Sequence, residues 1–152
     1  MKLGDTVDNF SLMNSEGKER SLNEIIDNNR ALLLFIPLAF SGVCTDEVCK
    51  TRDNMKMYSS LNVNVAVISV DSFFTLKEFK KQNNLNFELL SDFNKNVSEY
   101  FGALYEDFYG MKGVSKRSAF IINRDRVVEY AEVLEDADQL PDFKKIISTL
   151  SK

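Results

Sequence analysis

Apolar residues are densest in two runs, Ala31-Leu32-Leu33-Leu34-Phe35-Ile36 and Val63-Asn64-Val65-Ala66-Val67-Ile68-Ser69-Val70. A continuous apolar run fits a strand buried on both faces, and the β-branched residues of the second run favour the same conformation. Pro37 ends the first run. Between the two, from about Val43 to Ser60, the pattern predicts a helix, with Cys44, Val48, Thr51, Met55 and Tyr58 on one inward stripe at steps of three and four. Strand, helix and strand in this order read as a βαβ unit with parallel strands.

Downstream, Asp71 and Ser72 can cap a helix over Phe73 to Gln82, which Asn83-Asn84 stops. Phe87-Glu88-Leu89-Leu90 predicts a short strand, and Lys95 to Phe101 a short helix closed by Gly102. Residues 103–116 carry no clean period and, with Gly110 and Gly113, predict a loop. Arg117 to Ile122 and Arg126 to Ala131 flank a polar turn at Asn123 to Asp125, as in an antiparallel hairpin. Leu140, Phe143, Ile146, Ile147 and Leu150 then fall at helical spacing, with Asp138 and Pro141 near the start, and that helix should pack on the sheet. The expected class is α/β, a mixed central β-sheet with helices on both faces. At 152 residues the chain fits a single domain, 1–152, burying roughly 70% of its unfolded surface.

Charge and missing residues narrow the chemistry. A net charge of −4 disfavours nucleic acid, and Lys50 with Arg52, or Lys80 with Lys81, read as solvated helix faces. The chain has no His, which removes Cys/His and Ser/His hydrolytic arrangements, His-ligated haem and most zinc sites. Met1-Lys2-Leu3-Gly4-Asp5 has no apolar leader character, and the longest apolar run is too short to cross a bilayer, so the expectation is a soluble cytoplasmic protein.

Both cysteines lie in the segment Pro37 to Cys49, where the first strand gives way to the helix. Cys44 falls in the first helical turn. Unpaired N–H groups and the positive end of the helix dipole favour an anionic sulfur there. Ser41 can cap this helix and hydrogen-bond the sulfur. The alternative is that Cys44 is an inert small core residue. Cys49 lies five residues on, which in an intact helix puts the Cα atoms roughly 9 Å apart, beyond the about 4.4 to 6.8 Å of a disulfide. A bond between the two would require the first turns to unwind; equally, Cys49 can be incidental. The C-x4-C spacing is not the C-x-x-C of a dithiol oxidoreductase, and two cysteines without His are too few for structural zinc.

Taken together, Pro37-x-x-x-Ser41-x-x-Cys44 resembles the P-x-x-x-T/S-x-x-C motif of peroxiredoxins, thiol peroxidases built on a thioredoxin-like fold. Gly4 to Leu12 resembles the family's opening, with Asp8 where a Pro is usual; Ser69-Val70-Asp71-Ser72, Phe79 and Leu90-Ser91-Asp92 resemble its middle. Arg117-Ser118-Ala119-Phe120-Ile121-Ile122 resembles the strand that carries its active-site arginine. Cys44 to Asp53 is similar to the bacterioferritin-comigratory (Q-type) subfamily, in which the second cysteine of C-x4-C resolves the first, while Pro-Leu-Ala-Phe-Ser-Gly is also similar to the one-cysteine AhpE branch.

The resemblance implies that Cys44 is the peroxidatic nucleophile and that Arg117 stabilises its thiolate and polarises the peroxide. Ser41 would bond peroxide oxygen, Pro37 would shield the pocket, and Cys49 would resolve the sulfenic acid as a disulfide. The implied substrates are hydrogen peroxide and small organic hydroperoxides, the implied reductant is thioredoxin or a similar dithiol, and no metal, flavin or haem is needed. Two alternatives remain on sequence: a peroxide sensor that relays its disulfide, and a non-catalytic thioredoxin-like interaction domain. Monomer and homodimer are both open, with Phe73, Phe74 and Phe108 as interface candidates.

Overall fold

Along the first apolar run, Leu32 and Leu34 enter one core cluster while Ala31, Leu33 and Phe35 enter a second one on the opposite face. The two-residue period of a strand requires this split, and it explains why the run has no polar member. The computed structural model describes residues 1–152. In chain order the elements are β1 (Ser11–Asn14), β2 (Glu19–Ser21), α1 (Leu22–Ile26), β3 (Arg30–Phe35), α2 (Gly42–Asp53), α3 (Met55–Ser60), β4 (Val63–Ser69), α4 (Phe73–Gln82) and β5 (Glu88–Ser91). They continue with α5 (Asn96–Tyr100), β6 (Leu104–Tyr105), β7 (Val114–Ser115), β8 (Ser118–Ile122), β9 (Val128–Val133) and α6 (Phe143–Leu150).

Seven strands form one mixed sheet in the order β2-β1-β5-β4-β3-β8-β9, and β6 pairs with β7 apart from it. β3 runs parallel to β4 and antiparallel to β8, with Phe35 opposite both Ile68 and Ser118. One core cluster takes side chains from α2, α3, α4 and α6, and the other from α1 and α5, so helices cover both faces. The expected class and the central βαβ unit hold. No helix is long and apolar enough to cross a membrane.

The helix expected from Val43 to Ser60 is in fact two, broken at Asn54, which leaves helical geometry at φ −103° and ψ 9°. Asn54 Nδ2 donates to the Lys50 carbonyl, a side-chain competition with the backbone that Asn favours over helix continuation. Residues 103–116, expected as a loop, contain the β6–β7 ribbon, whose two-residue strands are too short to show a period. β1, β2 and α1 are too short for apolar spacing to mark them. Ser21 and Glu24 close a capping box on α1, and that Ser-x-x-Glu spacing was the available signal. By contrast, α4 begins at the expected cap: the Ser72 hydroxyl accepts from the Thr75 N–H.

Candidate active site

The end of β3 and the start of α2 are joined by a tight segment. The Ile36 N–H donates to the Ile68 carbonyl at 2.9 Å, which ties the segment to β4. Phe40 adopts φ +70°, a conformation that costs a side-chain-bearing residue on the order of 1 kcal/mol. Its ring packs edge-on against Phe79 at 5.0 Å between centroids, an anchor that offsets the strain. This turn delivers Ser41 as the N-cap of α2 and places Cys44 in the first turn, fully buried. Pro37 is buried at the base of the same segment.

Arg117 immediately precedes β8, whose Ser118 pairs with Phe35, so the strand register brings the guanidinium to the end of β3 where the thiol lies. Its Nη2 donates to Cys44 Sγ at 3.2 Å, its Nη1 to Glu47 Oε1 at 2.7 Å, and its Nε to the Ala137 carbonyl at 2.7 Å. The Arg117 and Glu47 side chains are 2% and 0% exposed, so the pair sits in protein rather than water. Burial alone disfavours the guanidinium charge, but the acidic groups Cys44 and Glu47 raise its pKa. Burial pushes the Glu47 carboxyl up to about 7 against the pull of Arg117, and Glu132 adds to the rise. A buried sulfur at a helix N-terminus with a guanidinium donating to it lies where positive charge can meet negative charge that develops on a departing oxygen.

Residues 3–131 match the AhpC/TSA family. Over 132 residues the chain is 34% identical to Peroxiredoxin Bcp of Escherichia coli, covering 86% of this chain and 84% of that one. Its fold superposes on the crystal structure of Peroxidoxin BcpB from Mycobacterium tuberculosis with a TM-score of 0.89, at 30% identity, over 99% of this chain and 97% of that one. The chain is a peroxiredoxin. It therefore belongs to a family of thiol peroxidases with a thioredoxin-like fold. A structure of PrxQ from Xylella fastidiosa, 22% identical, shares that fold with a TM-score of 0.88 over 99% of this chain and 96% of that one.

In this peroxiredoxin the residues singled out in the sequence converge unevenly. Pro37, Ser41, Cys44 and Arg117 meet around the end of β3, and Arg117 is buried there rather than paired at the surface. The Ser41 hydroxyl, expected to cap α2 and to bond the sulfur, does neither and donates instead to the Leu38 carbonyl at 2.9 Å. The turn forced by Phe40 brings that carbonyl within its reach. Cys49 lies on the same continuous helix as Cys44, half-buried, and its Sγ donates to Asn83 Oδ1 at 3.6 Å; both thiols are free. Arg52 Nη1 donates to the Asn83 carbonyl, so α2 is tied to the end of α4 at two points rather than presenting a merely solvated face.

Two participants escaped the sequence reading. Glu47 lay inside the Cys44 to Asp53 run but was given no role, its signal being its place three residues after Cys44 on the same helix face. Asp71, given no role in the site beyond a possible helix cap within a family-like block, accepts from the Ala39 N–H at 2.7 Å and from the Ser69 hydroxyl at 2.8 Å. It thereby holds the segment before α2. Asp71→Ala is expected to destabilise the protein by about 1–3 kcal/mol, because it strands the Ala39 N–H. The same change should slow oxidation by peroxide, and a denaturant midpoint measured beside a peroxide-consumption rate checks both.

Proposed function

We propose that residues 1–152 act as one catalytic domain that reduces hydrogen peroxide and small organic hydroperoxides through Cys44. The observation that carries this reading is the hydrogen bond from the buried Arg117 guanidinium to Cys44 Sγ in the first turn of α2. The Cys44 thiolate attacks the O–O bond in line, gains oxygen as a sulfenic acid, and expels an alkoxide or hydroxide. Arg117 and the helix N-terminus favour the charge as it moves from sulfur to the departing oxygen. Ser41 has committed its proton to the Leu38 carbonyl and so offers lone pairs to a hydroperoxide O–H. Pro37, buried beside them, keeps water from the sulfur.

Resolution then falls to Cys49. With the intervening helix intact the two sulfurs cannot bond, so the first turns of α2 open, Cys49 leaves Asn83, and a Cys44–Cys49 disulfide forms with loss of water. A dithiol protein such as thioredoxin returns it by exchange. Two free thiols suit a reducing compartment such as the cytoplasm.

Intact mass after one equivalent of peroxide on the reduced protein tests the scheme. Loss of two hydrogens is the expected result. A stable gain of one oxygen would instead mean one-cysteine chemistry completed by an outside thiol.

A further inference from the structure

One guanidinium serves two acids here. Arg117 donates to Cys44 Sγ and to Glu47 Oε1, and all three residues are buried. Glu47 Oε2 has no hydrogen-bond partner. With both acids ionised, the cluster would hold two negative charges against one positive in surroundings that penalise an uncompensated charge heavily. The other titratable groups that act on Glu47 offer no relief. Tyr58 of α3 is a phenol that burial and Glu47 push up to about 12, so it stays neutral. Glu132 of β9, whose Oε1 accepts from the Tyr130 hydroxyl and the Asp142 N–H, is another acid.

We propose that Glu47 holds the proton that Cys44 gives up and releases it as the sulfur is oxidised, so that Arg117 is balanced by thiolate before the reaction and by carboxylate after it. The inference rests on Cys44 being the atom that attacks peroxide. The resting cluster is thiolate, guanidinium and carboxylic acid. A sulfur lone pair forms the S–O bond, the O–O bond breaks, and its electron pair leaves on the alkoxide; sulfur is oxidised by two electrons and the peroxide is reduced by two. The alkoxide takes up a proton and Glu47 gives one up. The products are sulfenic acid, alcohol or water, and an Arg117–Glu47 ion pair, with no proton drawn from solution. The burial that lifts the Glu47 carboxyl to about 7 keeps most of it protonated about one pH unit below neutral, and a thiolate beside it acts in the same direction.

Proton stoichiometry reads this directly. Cys49→Ser protein, reduced and held about one pH unit below neutral with a pH indicator and little buffer, is mixed with one equivalent of hydrogen peroxide. Thiolate absorbance in the ultraviolet is recorded before mixing. The expected result is thiolate absorbance that disappears with almost no proton taken up, the uptake rising toward one proton per sulfur well above pH 7. Glu47→Gln in the same background should take up one proton at both pH values. Difference infrared spectra of the Cys49→Ser parent should also lose a protonated-carboxyl band on oxidation, a readout that stands even where the Gln variant does not fold. Uptake of one proton by the parent below neutrality, or no thiolate absorbance there, overturns the proposal. A protein that fails to consume peroxide at all would instead remove the assignment of Cys44, so the two failures are distinguishable.

Discussion

Cys44→Ser is expected to drop peroxide consumption to the uncatalysed background while leaving the fold in place. A serine hydroxyl holds its proton far above neutral pH, and neither a helix N-terminus nor one guanidinium closes that gap, so the nucleophile is lost rather than weakened. Structurally the change is mild. Serine Oγ can accept from Arg117 where Sγ does now, at a position already fully buried among Ala39, Val48 and neighbouring core residues. Thermal unfolding should therefore stay close to that of the parent while the peroxide assay goes flat. Peroxide consumption at the parent rate would move the chemistry away from Cys44.

Arg117→Met should act on both rate and stability. The apolar stem is retained and three donors are lost, to Cys44, Glu47 and the Ala137 carbonyl. Loss of a preorganised donor at a charge-developing centre costs roughly 10²–10³ in rate, and that is the expected fall in peroxide consumption. Breaking a buried ion pair by removing one partner costs about 3 kcal/mol or more. The sign with pH follows from Glu47. Its folded-state carboxyl sits above the ordinary value of 4.5, so its contribution to stability is present below that value and lost as pH rises through about 7. Without Arg117 the carboxyl moves further up. The gap between the two thermal midpoints should therefore stay level below about pH 7, where both folded carboxyls are protonated, and widen above it, where the parent's ionises first. A gap that narrows over that range would show that Arg117 does not offset the Glu47 charge.

What could be read in advance was whatever a single chain segment declares by itself. The β3 and β4 runs declare burial on both faces, Ser72 declares a cap, and the Pro37-to-Cys44 spacing declares a thiol at a helix start; all appear in the structure. The features not foreseen depend on distant partners or on local competition. Glu47 is an ordinary helix residue until the register of β8 against β3 brings Arg117 over it. Asp71 becomes a support of the segment before α2 only because β4 runs alongside β3. The Ser41 hydroxyl donates to the Leu38 carbonyl across the left-handed Phe40, a local turn that neither apolar spacing nor the motif announces. Asn54 shows the reverse case, in which apolar spacing continued across a position whose side chain ended the helix.

That break also limits how far a disturbance begun at the thiol can spread. Helical hydrogen bonding is cooperative within one continuous stretch, and α2 and α3 are separate stretches meeting at Asn54. Tyr58 of α3 packs in the core beneath β4 through contacts of its own. An opening that begins at Cys44 is thereby expected to stop at Asn54, uncovering the part of the central strands under Cys44 and Val48 and leaving the part under Tyr58 covered.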